Sequence, residues 1–137
     1  MKYADIEKNY KALEGIATKQ FPRKMVTAIA RNLSKMKPIV EEVGNQRRDI
    51  TQKYAQKKED GNIDYVQIAD GLFSIKFESA DDKQKYESEI AELLDMEEDI
   101  EVIKIEESVL DMLDIDGYDK LTAKDEIALE FMINYEP

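Results

Sequence analysis

The sequence predicts a mainly α fold with a small β part (α+β): an elongated helical hairpin tipped by a β-hairpin, with a C-terminal strand and helices. Three observations lead there. Charged residues make up 37% of the 137-residue chain and apolar ones 42%. Charge that far above the usual quarter suits extended helices, which expose more surface per unit of core. Ile29, Leu33, Met36, Val40, Val43, Arg47, Ile50 and Tyr54 recur in alternating steps of four and three, a heptad seam with one charged member. Two short alternating runs flank Ala69-Asp70-Gly71, and Asp-Gly between such runs marks a β-hairpin.

In chain order, residues 3–18 read as an amphipathic helix with Ile6, Tyr10, Leu13 and Ile16 on one face, weakened at its end by Gly15 and Thr18. Phe21-Pro22 opens a long helix over 22–58, since Pro suits a first turn. The seam runs straight through Pro38, so the choice is one kinked helix or two, 22–36 and 38–58; the unbroken phase favours one. Residues 59–62, EDGN, form a turn, and the β-hairpin spans 63–78, as strands 63–68 and 72–78. Alone such a hairpin is marginal and must lean on something. Ser79 starts a helix over 80–97, with Asp81 and Asp82 in the turn where acids suit the helix dipole. Its Tyr86, Ile90 and Leu93 make it the antiparallel partner of the long helix, with Glu87, Glu89 and Glu92 beside basic residues of 47–58. A strand is expected over 99–105 and a helix over 107–115 with Val109, Leu110 and Leu113 inward. A final helix over 122–134 is capped by Thr122 and Asp125, with Ile127, Ala128, Phe131, Met132 and Tyr135 apolar. The whole reads as one domain, 1–137.

Net charge is −11, and it is divided. Residues 1–58 carry 14 Lys/Arg against 6 Asp/Glu, a balance of +8; residues 59–137 carry 6 against 25, a balance of −19. The plain expectation is that the arms of the helical hairpin offset part of this internally. What remains unmatched is acid between Asp95 and Asp119. The candidate partner-binding residues are therefore Asp95, Glu97, Glu98, Asp99, Glu101, Glu106, Glu107, Asp111, Asp114 and Asp116.

Catalytic chemistry is poorly served. The chain has no His and no Cys, which removes the commonest general base, the usual nucleophile dyads, the usual zinc ligands and disulfides. Its five glycines are not clustered into a phosphate-cradling loop. Paired acids such as Glu97/Glu98 and Glu106/Glu107 follow from composition alone, so a carboxylate-dependent enzyme ranks third among the readings. No catalytic residue and no cofactor is assigned. A weak calcium candidate is Asp114, Asp116 and Asp119 around Gly117; aligned on a calcium loop it has Met112 and Ala123 at the first and twelfth positions, where acids belong, so a solvated loop is the plainer reading. The methionines fall mostly on apolar faces as gap-fillers.

Lys19, Arg23, Lys24, Arg31, Lys35 and Lys37 cluster, but the chain is anionic and few aromatics interleave, so direct nucleic-acid binding is not expected. The mirror idea is that the acids between 78 and 101 imitate a nucleic-acid backbone; a solvated helix face is the bland alternative. The opening MKYADIEKNY has no apolar run of the secretory kind, and no stretch nears the roughly 18 apolar residues of a membrane span. A cytosolic or virion-interior setting is compatible with this, and no membrane segment is expected. The strand at 99–105 has three candidate neighbours, the 63–78 hairpin, a second copy or a partner; the heptad seam offers a second route to a homo-oligomer, although Arg47 opposes a long simple coiled coil.

Several pieces together resemble a family of short uncharacterised proteins encoded by phages and prophages of Gram-positive bacteria. They are Phe21-Pro22, Asn32-Leu33, Lys53-Tyr54 before Asp60-Gly61-Asn62, Glu92-Leu93-Leu94, the run Ile100–Ile105, and the ending Leu121-Thr122 … Ala128-Leu129-Glu130-Phe131-Met132-Ile133. The ending is the most specific piece, and the likeness spans about 10 to 134. Ala55 stands where the family pattern has Gly after the Lys-Tyr pair, which implies a helix that runs further here. The resemblance implies a phage protein, accessory or structural in virion or tail assembly, whose partner is a phage structural protein or a host protein. The alternative is an acidic inhibitor of a host nucleic-acid-handling or anti-phage defence protein.

Overall fold

The structure is a computed structural model, and it describes residues 1–114 and 117–135, with the backbone alone at Asp114. It is α+β. Its elements are helices α1 (Tyr3–Ile16) and α2 (Arg23–Tyr54), strands β1 (Tyr65–Ala69) and β2 (Leu72–Ile75), and helix α3 (Ala80–Asp95). Strand β3 (Ile105–Glu106) follows, then a 3-10 helix (Glu107–Asp114), helix α4 (Ala123–Leu129), a 3-10 turn (Glu130–Met132) and strand β4 (Ile133–Asn134). The chain forms two compact units: unit 1 is Met1–Glu41 with Glu97–Pro137, and unit 2 is Glu42–Met96.

The choice at Pro38 resolves to one helix: α2 passes through it unbroken. Proline frees the carbonyl four residues back, which is Ser34. Both Ser34 and Pro38 are exposed, so water can take up the freed acceptor. The seam positions along α2 are all buried or half-buried, as their spacing requires.

Unit 1 holds the main core. Ile6, Leu13 and Ile16 of α1, Met25, Ile29 and Met36 of α2, and Leu129, Met132 and Ile133 near the end pack into one cluster. Val109 and Leu113 of the 3-10 helix join it and Leu110 is half-buried against it, the inward trio that the sequence indicates. The segment has the expected inward face in a tighter helix type.

The strand expected over 99–105 shrinks to Ile105–Glu106. It pairs in parallel with Ile133–Asn134 and belongs to a different sheet from the β-hairpin. Asn32 explains why the residues before it make no ladder. Its side-chain amide donates to the Ile103 carbonyl at 2.9 Å and accepts from the Ile103 N–H at 2.8 Å. Lys35 Nζ reaches the Glu101 carbonyl at 2.9 Å. Side chains of α2 thus satisfy backbone groups that a neighbouring strand would otherwise take.

The last helix is also shorter than its apolar pattern suggests. The capping box at its start is present: Thr122 Oγ1 accepts from the Asp125 N–H and the Asp125 carboxylate accepts from the Thr122 N–H. From Glu130 the chain tightens to three residues per turn. After this change Met132 and Ile133 are buried and Tyr135 is exposed; within α4 itself Leu129 is buried and Ile127 is exposed.

In unit 2, the helix runs no further than Tyr54, against the expectation raised by Ala55. The Gln56 N–H donates to the Lys76 carbonyl at 2.8 Å and the Gln56 carbonyl accepts from the Asp64 N–H at 2.8 Å. Lys57 bridges Ile63. Residues past Ala55 therefore leave the helix to pair beside the β-hairpin. The helix expected to 97 also ends earlier, at Asp95, and Ser79 caps its start by accepting from the Asp82 N–H. The second half of α2 and α3 face each other through Lys53 and Glu89, 3.1 Å apart.

Candidate partner-binding surfaces

Of the ten acids singled out in the sequence, those described fall in both units. Asp95 ends α3 in unit 2. In unit 1, Glu97 bridges Lys2 through its backbone, and the Glu98 backbone binds Met1: its carbonyl accepts from the terminal ammonium at 3.0 Å and its N–H donates to the Met1 carbonyl at 2.9 Å. Glu97, Asp99, Glu101, Glu106 and Asp111 are exposed, and Glu107 is half-buried. The Glu106 carboxylate accepts from the Asn134 amide at 3.2 Å. The Asp114 side chain and all of Asp116 lie outside the described residues. Asp119, the remaining calcium candidate, accepts from the Gln20 N–H at 2.6 Å and its own N–H donates to the Gln20 carbonyl at 2.8 Å, so it ties the segment before α4 to the connection between α1 and α2. Among the described residues no cluster of acids could hold a metal ion, and no helix is long and apolar enough to cross a membrane.

Charge offsetting between the two halves of the sequence is real and local. Lys53 pairs with Glu89 on the surface; the hydrogen bonds it donates to Tyr54 and Glu89 raise its pKa. Lys19 pairs with Asp125 at 2.7 Å, and Asp125 is 2% exposed. Burial alone would push that carboxyl up. Hydrogen bonds from Lys19 and from Thr122 outweigh it and hold the group below the ordinary carboxylate range.

Two apolar surfaces emerge instead. The first is the β-hairpin of unit 2. Gly71, with φ of +73°, supplies the left-handed residue of its turn. Tyr65 lies opposite Ile75, Val66 opposite Ser74 and Gln67 opposite Phe73, with a bulge between Gln67 and Ala69. Side chains alternate across a strand, so Tyr65 and Phe73 share one face while Val66 and Leu72 share the other. Both faces are open: Tyr65 is 52% exposed, Val66 46%, Ile68 66%, Leu72 58% and Phe73 63%. At its foot, Phe77 meets Tyr86 with ring centroids 5.2 Å apart. A half-buried hairpin would be apolar on one face only, so the open second face is surplus to folding.

The second surface is a groove of about 700 Å³ between α1 and α4 in unit 1. Ile16 and Ala128 form its floor, and Ala12, Gly15, Ile127 and Phe131 its walls. Lys8, Lys11 and Lys124 stand on its rim against a single Glu130. The sequence marks Ile16, Ile127, Ala128 and Phe131 as apolar positions of two separate helices, without bringing them to one surface. The available signal was the pair of small residues, Ala12 and Gly15, three apart on a helix whose other face was already apolar.

Comparison with family models, curated proteins and solved structures returns no match.

Proposed function

We propose that this chain is a non-catalytic protein-binding protein encoded by a phage or prophage, accessory or structural in virion or tail assembly. The observation that carries the reading is the β-hairpin with large apolar side chains open on both faces. Exposed apolar patches beyond the needs of folding mark surfaces that another molecule covers. The absence of His and Cys from the sequence fits a binding role better than a chemical one. The phage setting rests on the sequence resemblance alone.

A second reading is an acidic inhibitor of a host nucleic-acid-handling or anti-phage defence protein. It draws on Glu97, Asp99 and Glu101, all exposed along one extended segment. In α3 lysines interleave with the acids and one pairs with them, Lys85 with Asp81 at 3.1 Å, which dilutes any imitation of phosphate.

The test is co-purification. The tagged full chain is expected to enrich virion or tail proteins from phage-producing cells, and an Ile68→Ser/Phe73→Ser variant to lose them while its melting curve stays put. Enrichment of a host nuclease that is released steeply by moderate salt would support the second reading instead.

A further inference from the structure

We propose that the groove between α1 and α4 is a docking site for an acidic amphipathic helix of a partner protein. The inference rests on the protein-binding reading above and deepens it by giving a second surface a partner of stated chemistry.

The shape argues for a helix. The α1 wall runs from Lys8 to Ile16, about 12 Å at 1.5 Å per residue, or two helical turns. That length seats an apolar stripe repeating at i, i+3, i+4 and i+7. Small residues permit close approach: a Cβ added at Gly15 would meet nothing within 4 Å. Ile127 stands 69% exposed at the lip, so an isolated unit 1 leaves a large aliphatic side chain in water beside an apolar floor. A third helix laid between α1 and α4 would cover it.

The charge selects the partner. The rim carries three lysines against one glutamate in a chain of net charge −11. Among the described residues none of Lys8, Lys11 and Lys124 has an ion-pair partner. Carboxylates flanking the stripe of an incoming helix would meet these lysines, while a basic helix would be repelled. The acids between 95 and 119, where the sequence suggested a partner should bind, are not part of this surface.

The probe is a fluorescein-labelled peptide of about 18 residues with a Leu stripe at i, i+3, i+4 and i+7 and Glu on both flanks, with a Lys-flanked peptide of the same stripe as comparator. Anisotropy with the full chain should show the Glu peptide bound at least about ten-fold more tightly than the Lys peptide. Amide shifts in a 15N spectrum should be confined to 8–16 and 124–131. Gly15→Leu fills the groove from open space, so it should abolish binding without lowering the melting temperature. Lys11→Glu/Lys124→Glu should invert the preference between the two peptides. Equal binding of both peptides, or binding that survives Gly15→Leu, would overturn the proposal. So would a dimer in sedimentation that Gly15→Leu dissolves, since a second copy would then be the occupant. The hairpin variant Ile68→Ser/Phe73→Ser separates the two claims. If it loses its particle partners while the peptide arm fails, the protein-binding reading stands without the groove; if only the peptide arm succeeds, the reverse holds.

Discussion

The two units of this chain solve opposite problems. Unit 1 gathers fifteen buried hydrophobic side chains into one cluster. Unit 2, of comparable helical content, buries Val43, Ala55 and Leu93 and leaves Tyr65, Val66, Ile68, Leu72, Phe73 and Met96 in solvent. Unit 1 draws its core from both ends of the sequence, so it brings together residues about a hundred positions apart, such as Asn32 and Met132. Unit 2 is a local structure of helix, hairpin and helix, held by backbone pairing, one aromatic contact and the Lys53–Glu89 pair. Burial is the dominant favourable term in folding, so unit 1, which also exposes Val26 and Ile127, has a core that stabilises it, while unit 2 has large apolar side chains in solvent and little core beneath them.

The sharpest way to break this comparison is to truncate matched apolar residues on its two sides. Leu129→Ala or Met132→Ala removes a fully buried side chain and should cost about 3 kcal/mol in urea unfolding. Ile68→Ser or Phe73→Ser should cost about 0.5 kcal/mol or less, as surface changes do. Equal losses would mean that the hairpin is a structural core in disguise.

Next in size is Asn32. Asn32→Leu strips both partners from the Ile103 backbone and should cost about 2–3 kcal/mol, a loss read by the same unfolding curves. A cost below about 0.5 kcal/mol would show that water replaces the amide and that the 99–104 segment is not held by α2.

Asp125 comes third. Its carboxyl titrates below the ordinary range in the folded chain, so its stabilising contribution is present above the unfolded value of about 3.9 and is lost as pH falls through the folded value. Asp125→Asn should therefore cost about 1–2 kcal/mol near pH 7, and its melting temperature should approach that of the parent as pH drops below about 4. A gap that widens in acid would reverse the sign of the assignment.

The smallest expected effect is in unit 2. Ser79→Ala removes the α3 cap and should cost about 1 kcal/mol, with faster amide exchange limited to the first turn of α3. Spread of that change into α1 or α4 would show that the units unfold as one.

What was legible in the sequence followed from local periodicity. The seam from Ile29 to Tyr54, the Asp70-Gly71 turn, the Ser79 start and the Thr122–Asp125 capping box all depend on residues within a turn or two of each other. The failures share one cause, which is a distant group overriding a local pattern. The run Ile100–Ile105 alternates like a strand, but Asn32, seventy-one residues earlier, takes the backbone of Ile103. The ending 122–134 keeps an apolar rhythm, but β4 must reach Ile105 in parallel register, so the helix tightens and stops. Ala55 favours helix locally, yet pairing with Asp64 and Lys76 ends it. The acids drew attention because they are numerous; the lysines beside Ala12 and Gly15 did not, because only the fold brings α4 against α1.

Native-state hydrogen exchange on the full chain tests the contrast between the units most directly. Amides of α1, of α2 from Met25 to Met36, and of Leu129 to Met132 should exchange only with global unfolding, while those of β1 and β2 exchange orders of magnitude faster. Protection across Tyr65–Ile75 as long-lived as that of the unit 1 core would contradict the division between a self-stabilised unit and one left open for a partner.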